Sequence, residues 1–382
     1  MTSAREINFT PNEVILAASL ELSNKSWKIA LQDGQREKPS IYTVTDENPA
    51  GRLAHVVSVI EQCREIWGLK GAPVVVSYEA GQDAFWIFRQ LTKLGYTTLV
   101  VDPASIPVER KSRRAKTDRL DAIRLVSCLR AWLRGERDRM QVVTPPSADD
   151  EAQRHMARER GDLQKEIGQH RDRMRKWLRT VGCWDVVGGD FAQRLADGTL
   201  RCPDGQPLPA PLTRRCQHEC ERLALVERQL AALEKTLIDS LPAATQERIA
   251  HLKKLKGVGE VGAMRQGLEL FWRDFDNRRQ VGACVGLVPQ PYDSGDSRVD
   301  QGISKQGNRK VRALLIEMAW MWLRYQPDSA LSKWFAHRTS GTGPNKRGKR
   351  IAIVAVARRL TIALWRYLKD GVVPEGALLK AR

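Results

Sequence analysis

No stretch of the chain approaches the roughly 18 consecutive apolar residues that a membrane-spanning helix needs, so that class is excluded. The opening MTSAREINFTPNEV has no basic segment followed by an apolar one, so no secretory signal is expected and the expected location is cytoplasmic. Cysteine is sparse and odd in number, at positions 63, 128, 183, 202, 216, 220 and 284. Such a scattered set argues against a disulfide framework and reads as reduced thiols. Cys183, Cys202, Cys216, His218 and Cys220 could be grouped as zinc ligands, but their spacing fits no common finger pattern and thiols on a helical segment are the preferred reading. Internal repeats and long low-complexity tracts are absent. Acid is short as well: 45 Asp and Glu stand against 63 Lys and Arg, a formal charge of +18 over 382 residues. That surplus has to face an anion. Nucleic acid is the first candidate, because each neutralised phosphate releases counterions. A membrane surface is the weaker one, since the basic residues are spread along the chain.

The length fits about two to three domains. Residues 14–46 alternate short apolar runs with polar breaks (VILAASLEL, WKIALQD, IYTVTD), which predicts a three-strand meander. An amphipathic helix over 52–69, a buried strand over 72–80, a helix over 82–95, a strand over 96–102 and a helix over 117–135 follow. Three strands and then alternating helix and strand is the order of an RNase H-like α/β domain. QVVTPPSADD (141–150) reads as a boundary, because paired prolines stop a helix and Ser or Asp can cap the next. Residues 150–180 and 213–240, rich in Arg and Glu with periodic apolar positions, look like the two arms of a long helical hairpin. The excursion between them, 186–212, is long for a hairpin tip and carries no role that the sequence reveals. A mostly helical region over about 245–370 completes the chain.

Carboxylates stand where a plain core would not put them. KTDRLDA (116–122) sets Asp118 and Asp121 three apart on a helix, so both point the same way. Glu79 ends the apolar strand VVVSYE, and Glu21 stands inside SLELSNKSW. Four such acids suit hard, oxygen-seeking cations such as Mg²⁺. Two ions about 3.5–4 Å apart can activate a nucleophile and stabilise the leaving oxygen in phosphodiester cleavage. The plain alternative makes Asp118 and Asp121 surface charges paired with Arg119 or Arg124. Asp83 is a weaker candidate, since an acid where a helix begins is explained by the helix dipole.

Further along, LKGVGEVGA (255–263) has the glycine turn of a helix-hairpin-helix, which lets backbone N–H groups approach a phosphate. Lys256, Gly257, Gly259, Lys305 and Arg309 are the candidate nucleic-acid contacts. Ser294, in PYDSG, is set for an exposed turn, although a serine in a Gly/Asp turn is often only a turn residue. No histidine is near it in sequence, so a Ser-His-Asp arrangement is not legible and activation from elsewhere is required.

SLELSNKSW, VSYEAG, KTDRLDA, LKGVGEVGA, GLVPQPYDSG and GISKQGNRKVR, in that order, resemble the DEDD-type insertion-sequence transposases, which are guided by a bridge RNA and carry a RuvC-like N-terminal domain and a C-terminal serine domain. The resemblance covers nearly the whole chain. It implies an RNase H/RuvC-like α/β domain over 1–145, a helical, coiled-coil hairpin over 146–243, and a mostly α C-terminal transposase domain with the helix-hairpin-helix over 244–382. Glu21, Glu79, Asp118 and Asp121 are then the Mg²⁺ ligands. Ser294 is the nucleophile that links to DNA, with Ser297 and Ser304 as nearby alternatives. Glu21 departs from the family's Asp and sets its carboxylate one methylene further out. The implied partners are donor and target DNA, a guide (bridge) RNA, and further copies of the chain as a dimer to tetramer, with acids from one chain facing the serine of another. From the residues alone, a RuvC-like nuclease or Holliday-junction resolvase using water stays open, as does a non-catalytic nucleic-acid-binding protein.

Overall fold

The computed structural model describes residues 14–81, 84–107, 117–294, 297–340 and 346–380. The chain divides into two compact units, residues 1–146 and 147–382.

In the first unit, β1 (Leu16–Leu22), β2 (Ser26–Gln32) and β3 (Ser40–Thr45) form an antiparallel meander. Helix α1 (Pro49–Ile66) then leads to β4 (Val74–Glu79), and α2 (Ala84–Lys93) to β5 (Thr97–Val101). After them come α3 (Asp118–Leu133) and the short β6 (Val142–Val143). The sheet order is β3-β2-β1-β4-β5-β6, with β4 parallel to both β1 and β5. β6 extends the sheet antiparallel to β5, within the stretch that the sequence reads only as a boundary. The central strands are buried on both faces, which is why they read as near-continuous apolar runs. Leu16, Ala18 and Leu20 point with Val76 and Tyr78 toward α1 and α2. Ala17, Ala30 and Val75 point the other way, and their small volume lets Ala122, Leu125 and Leu129 of α3 settle close to the sheet.

The second unit begins with α4 (Ala148–Arg179), capped by Ser147, whose hydroxyl accepts from the Asp150 N–H at 3.0 Å. At 1.5 Å per residue it runs about 48 Å. After α5 (Phe191–Ala196), α6 (Ala210–Leu237) returns along it. Leu163, Ile167 and Met174 meet Leu223, Val226 and Leu230 along the seam. Cross-arm ion pairs Arg160–Glu234 (2.6 Å) and Arg171–Glu227 (2.7 Å) engage part of the arginine excess. The excursion whose purpose the sequence hides is an apolar plug: Val187, Phe191, Leu195, Leu200 and Leu208 all sink into the tip of the hairpin.

Midway along the arms the fully buried Glu219 accepts from His170 Nδ1 (2.7 Å), Arg173 (2.7 Å) and Arg222 (2.9 Å). Burial acts to raise this carboxyl, but the hydrogen bonds from His170 and Arg222 and the charge of Arg173 outweigh it and hold the group below its ordinary range. A depressed carboxyl stabilises the fold above its unfolded value of about 4.3, and that contribution is lost as pH falls through the lower folded value. Glu219→Gln is expected to cost about 2 kcal/mol, below the range for a fully dry pair because Arg173 and Arg222 can rehydrate. Thermal unfolding at neutral pH reads the loss, and the difference from wild type should narrow in acid.

Helices α7 (Ala243–Lys253), α8 (Glu260–Glu269), α9 (Arg278–Cys284), α10 (Arg309–Tyr325), α11 (Ala330–Thr339) and α12 (Lys346–Asp370) complete the unit, with the hairpin β7 (Pro289–Ser294) and β8 (Ser297–Ile303) between α9 and α10. The sequence reading separates the helical hairpin from this region at residue 243, but the two share one core. Ala157, Leu237 and Leu241 belong to the same apolar cluster as Leu252, Leu315, Val356 and Leu360. Among the described residues, no helix is long and apolar enough to cross a membrane.

Candidate functional site

The four candidate carboxylates all lie in the first unit, and topology brings them toward one corner. β1 and β4 run parallel with Leu20 beside Tyr78, so Glu21 and Glu79 are the next residues at the carboxyl ends of adjacent strands. Side-chain alternation sends both to the α3 face, in line with Ala17 and Val75. Just before them Ser19 and Ser77, both fully buried, share a hydroxyl hydrogen bond of 2.8 Å. α3 runs back along β1, because Arg130 near its end donates to the Ile15 carbonyl at 3.2 Å. From Arg130 back to Asp118 the helix covers about 18 Å, and from Ile15 forward to Glu21 the strand covers about 20 Å. The first turn of α3 therefore lies toward the strand ends that carry the glutamates.

That turn is ordered by Thr117, whose hydroxyl accepts from the Leu120 N–H at 3.3 Å, and its acids also suit the helix dipole. Asp118 is exposed, while Asp121 accepts from Arg124 at 3.0 Å, as the plain alternative anticipates. Among the described residues, no three His, Cys, Asp or Glu side chains form a group that could hold a metal as they stand. Arg124 engages one Asp121 oxygen, which leaves the other for an ion at this corner. Asp83 lies outside the described residues. Cys183 and Cys216 serve the hairpin core, with Cys202 and Cys220 packed against it, and burial pushes the Cys216 thiol up to about 11.

In the second unit the polar stretch around Ser294 is a β-hairpin rather than a turn between helices. Ser294 ends β7 in register with Ser297, which starts β8. Ser304 follows the hairpin, its N–H donated to the Val288 carbonyl at 2.9 Å and its hydroxyl buried without a hydrogen-bond partner among the described residues. The next segment folds tightly onto the residues before β7. Lys305, exposed, holds φ at 58°, the left-handed region that favours glycine, and its N–H donates to the Gly286 carbonyl at 3.1 Å. Gly307 (φ 75°) is required because a Cβ there would collide with the Cys284 carbonyl. Asn308 caps α10, its side-chain oxygen accepting from the Lys310 and Val311 N–H groups at 2.9 and 3.2 Å. Arg309 and Lys310 stand in a first turn that holds no acid, against the helix dipole, a placement that suits an anion nearby.

The glycine turn joins α7 to α8 as expected of a helix-hairpin-helix. Its glycines face different ways. Gly257 (φ 87°) abuts Tyr325, where a Cβ would stand 3.3 Å from the tyrosine Cβ, whereas the exposed Gly259 opens onto free space and begins α8 without a side-chain cap. Lys256 is exposed, but its backbone is engaged on both sides: the N–H donates to Leu378 at 3.0 Å, and the carbonyl accepts from Gln326 at 2.7 Å. Buried Gln326 also binds the Leu378 carbonyl and N–H, so residues 378–380 clamp the turn.

The family model for transposases of the IS116/IS110/IS902 family matches residues 249–333, the span from α7 into α11 that holds this turn and the Ser294 hairpin. The chain is 40% identical over 376 residues to a putative transposase, y4rJ, of Sinorhizobium fredii, covering 95% of this chain and 94% of that one. The chain belongs to the IS116/IS110/IS902 transposase family. It is also 26% identical to the transposase of insertion sequence element IS1328 of Yersinia enterocolitica, over 79% of this chain and 85% of that one. To the transposase of element IS1533 of Leptospira borgpetersenii it is 24% identical, over 79% and 83%.

The transposase also contains a cluster that sequence reasoning missed. Arg154 of α4 and Arg273 both face the Trp272 ring, with guanidinium carbons 4.2 and 4.6 Å from its centre. Arg273 reaches the Cys284 thiol, which burial raises and the two arginines pull back. Arg154 lies far from the Trp272–Arg273 pair in sequence, so no local pattern marks the cluster.

Proposed function

We propose that this transposase cuts and rejoins DNA by transesterification at Ser294, with Glu21, Glu79, Asp118 and Asp121 as Mg²⁺ ligands, under the direction of a guide RNA and as a homo-oligomer. The reading is supported most by one observation: the glutamates at the ends of β1 and β4 and the aspartates of the first turn of α3 are directed to one corner of a β3-β2-β1-β4-β5-β6 sheet. We read that order, a three-strand meander followed by parallel strands, as RNase H/RuvC-like. The all-oxygen donor set fits a hard divalent ion, which when bound would polarise the scissile phosphate and stabilise the leaving oxygen.

Ser294 Oγ attacks the phosphorus and gives up its proton, while the P–O bond to deoxyribose breaks and that oxygen is protonated. A phosphoserine link replaces the phosphodiester. Attack by a deoxyribose hydroxyl on that link joins the new strand and returns the serine. The phosphodiester is exchanged for another of similar energy, so rejoining needs no outside supply, whereas an end freed by hydrolysis would have to be reactivated before joining. The basic surplus suits this reading, since guide RNA and two DNAs carry far more phosphate than one duplex.

The guide is tested by digesting RNA away from the purified transposase. Site-specific recombination is expected to disappear, while weak, salt-sensitive DNA binding persists. Recombination at the correct site by an RNA-free preparation would reject the guide.

A further inference from the structure

We propose that Arg154, Trp272 and Arg273 form a seat for one phosphodiester of the substrate DNA, beside the segments that flank the Ser294 hairpin. The inference rests on the reading of the chain as a DNA-handling transposase. Arg154 is only 7% exposed, and its Nε and Nη2 are buried without hydrogen-bond partners among the described residues. The same holds for Trp272 Nε1 and Arg273 Nε. Four buried donors thus collect around one indole with no acceptor for them. A cation on the indole face recovers some of its lost hydration, but two guanidiniums on one ring also repel each other. Burial, and then the charge of Arg273, push the Arg154 guanidinium below its ordinary range. It remains charged, because arginine does not deprotonate in proteins.

The carboxylates in electrostatic reach are occupied elsewhere. Glu269 accepts from Arg158 Nε at 3.4 Å and from Asn308 Nδ2 at 3.0 Å, and Asp150 accepts from the Ser147 hydroxyl at 2.6 Å. An oxyanion is the complementary ligand, since it offers acceptors only and matches the fork of a guanidinium. Phosphate from DNA is favoured by where the cluster lies. Arg273 reaches Cys284, which precedes β7 by five residues, and Glu269 holds Asn308, which follows β8 by five. The cluster is therefore tied to both ends of the hairpin. Trp272 and Arg273 are only partly buried, so the cluster reaches the surface.

The test uses the full chain, with Arg154→Gln and Arg273→Gln, a fluorescein-labelled DNA duplex, and inorganic phosphate as a separate probe. Each variant is expected to bind duplex roughly fivefold to tenfold more weakly. The slope of log affinity against log salt should shrink by about 0.9, the signature of one lost phosphate contact. Ligand-free Arg154→Gln should melt no lower than wild type, because an unpaired buried charge is gone. A structural arginine gives the opposite pattern: a lower melting temperature with affinity and slope unchanged would overturn the seat. If Arg154→Gln fails to fold, half-buried Arg273→Gln decides by affinity and slope. Phosphate that raises the melting temperature of wild type but not of the variants, with duplex binding unaffected, would make this a free-anion site and reject the DNA assignment. Wild-type protein that binds no duplex would sink the DNA reading itself, whereas binding that both variants retain in full sinks only the seat.

Discussion

Ser294→Ala is expected to leave no covalent protein–DNA adduct on a denaturing gel, while duplex binding survives. The substitution removes the oxygen proposed to form the phosphoester and changes no charge. The backbone ladder that sets Ser294 against Ser297 also persists, because alanine keeps the same N–H and carbonyl. The neighbouring serines provide the comparison. Ser304 has its hydroxyl buried and without a partner among the described residues, so Ser304→Ala should retain the adduct and be close to neutral in stability. An adduct that persists in Ser294→Ala and vanishes in Ser304→Ala would transfer the nucleophile to Ser304.

Glu79→Gln and Asp121→Asn should each reduce Mg²⁺-dependent strand cleavage by about 100-fold or more, since a neutral amide is a poor substitute for an anionic ligand. The two variants probe different things. Glu79 is anchored at a strand end in register with Val101, so its loss reports on the ligand set. Asp121 is bonded to Arg124 at 3.0 Å, so Asp121→Asn also frees a cation. An aspartate that served only as that arginine's partner would lower stability by a fraction of a kcal/mol and leave cleavage intact. Duplex binding should hold or tighten in both variants, because negative charge near phosphate is removed. Full cleavage by either would overturn that residue's place among the ligands.

The first unit was legible because its strands are buried on both faces and bounded by turn residues, so apolar runs, breaks and helical periods each had one reading. Asp118 and Asp121 could be paired from their spacing, and Glu79 could be found because a core run ended in a charge. Spacing offered Arg124 as a partner of Asp121 but could not choose between the two readings, since one helical turn accommodates both a ligand pair and an ion pair. The β7–β8 hairpin was hidden by composition: PQPYDS carries two prolines and little apolar content, features that argue against a strand when only sequence is read. Glu219 was hidden among the charges of α6, and only the facing arm distinguishes a buried acid from a solvated one. Arg154 and Trp272 meet through the docking of α4, a long-range event with no local signature.

The clamp on the glycine turn has a consequence for the order in which the protein is made. Lys256 and Lys254 receive their backbone partners from Leu378 and Lys380, and Lys380 also donates its ammonium to the Val258 carbonyl across 122 positions of sequence. Gln326, which fastens the two segments, is itself translated seventy residues after the turn. In a chain made only as far as α8, the Lys256 N–H and the Lys254, Lys256 and Val258 carbonyls therefore bond water, until Gln326 and then residues 378–380 replace it. The turn is fastened only once residues 378–380 have been made and folded back, so a nascent chain that stops short of them holds the α7–α8 turn without its clamp.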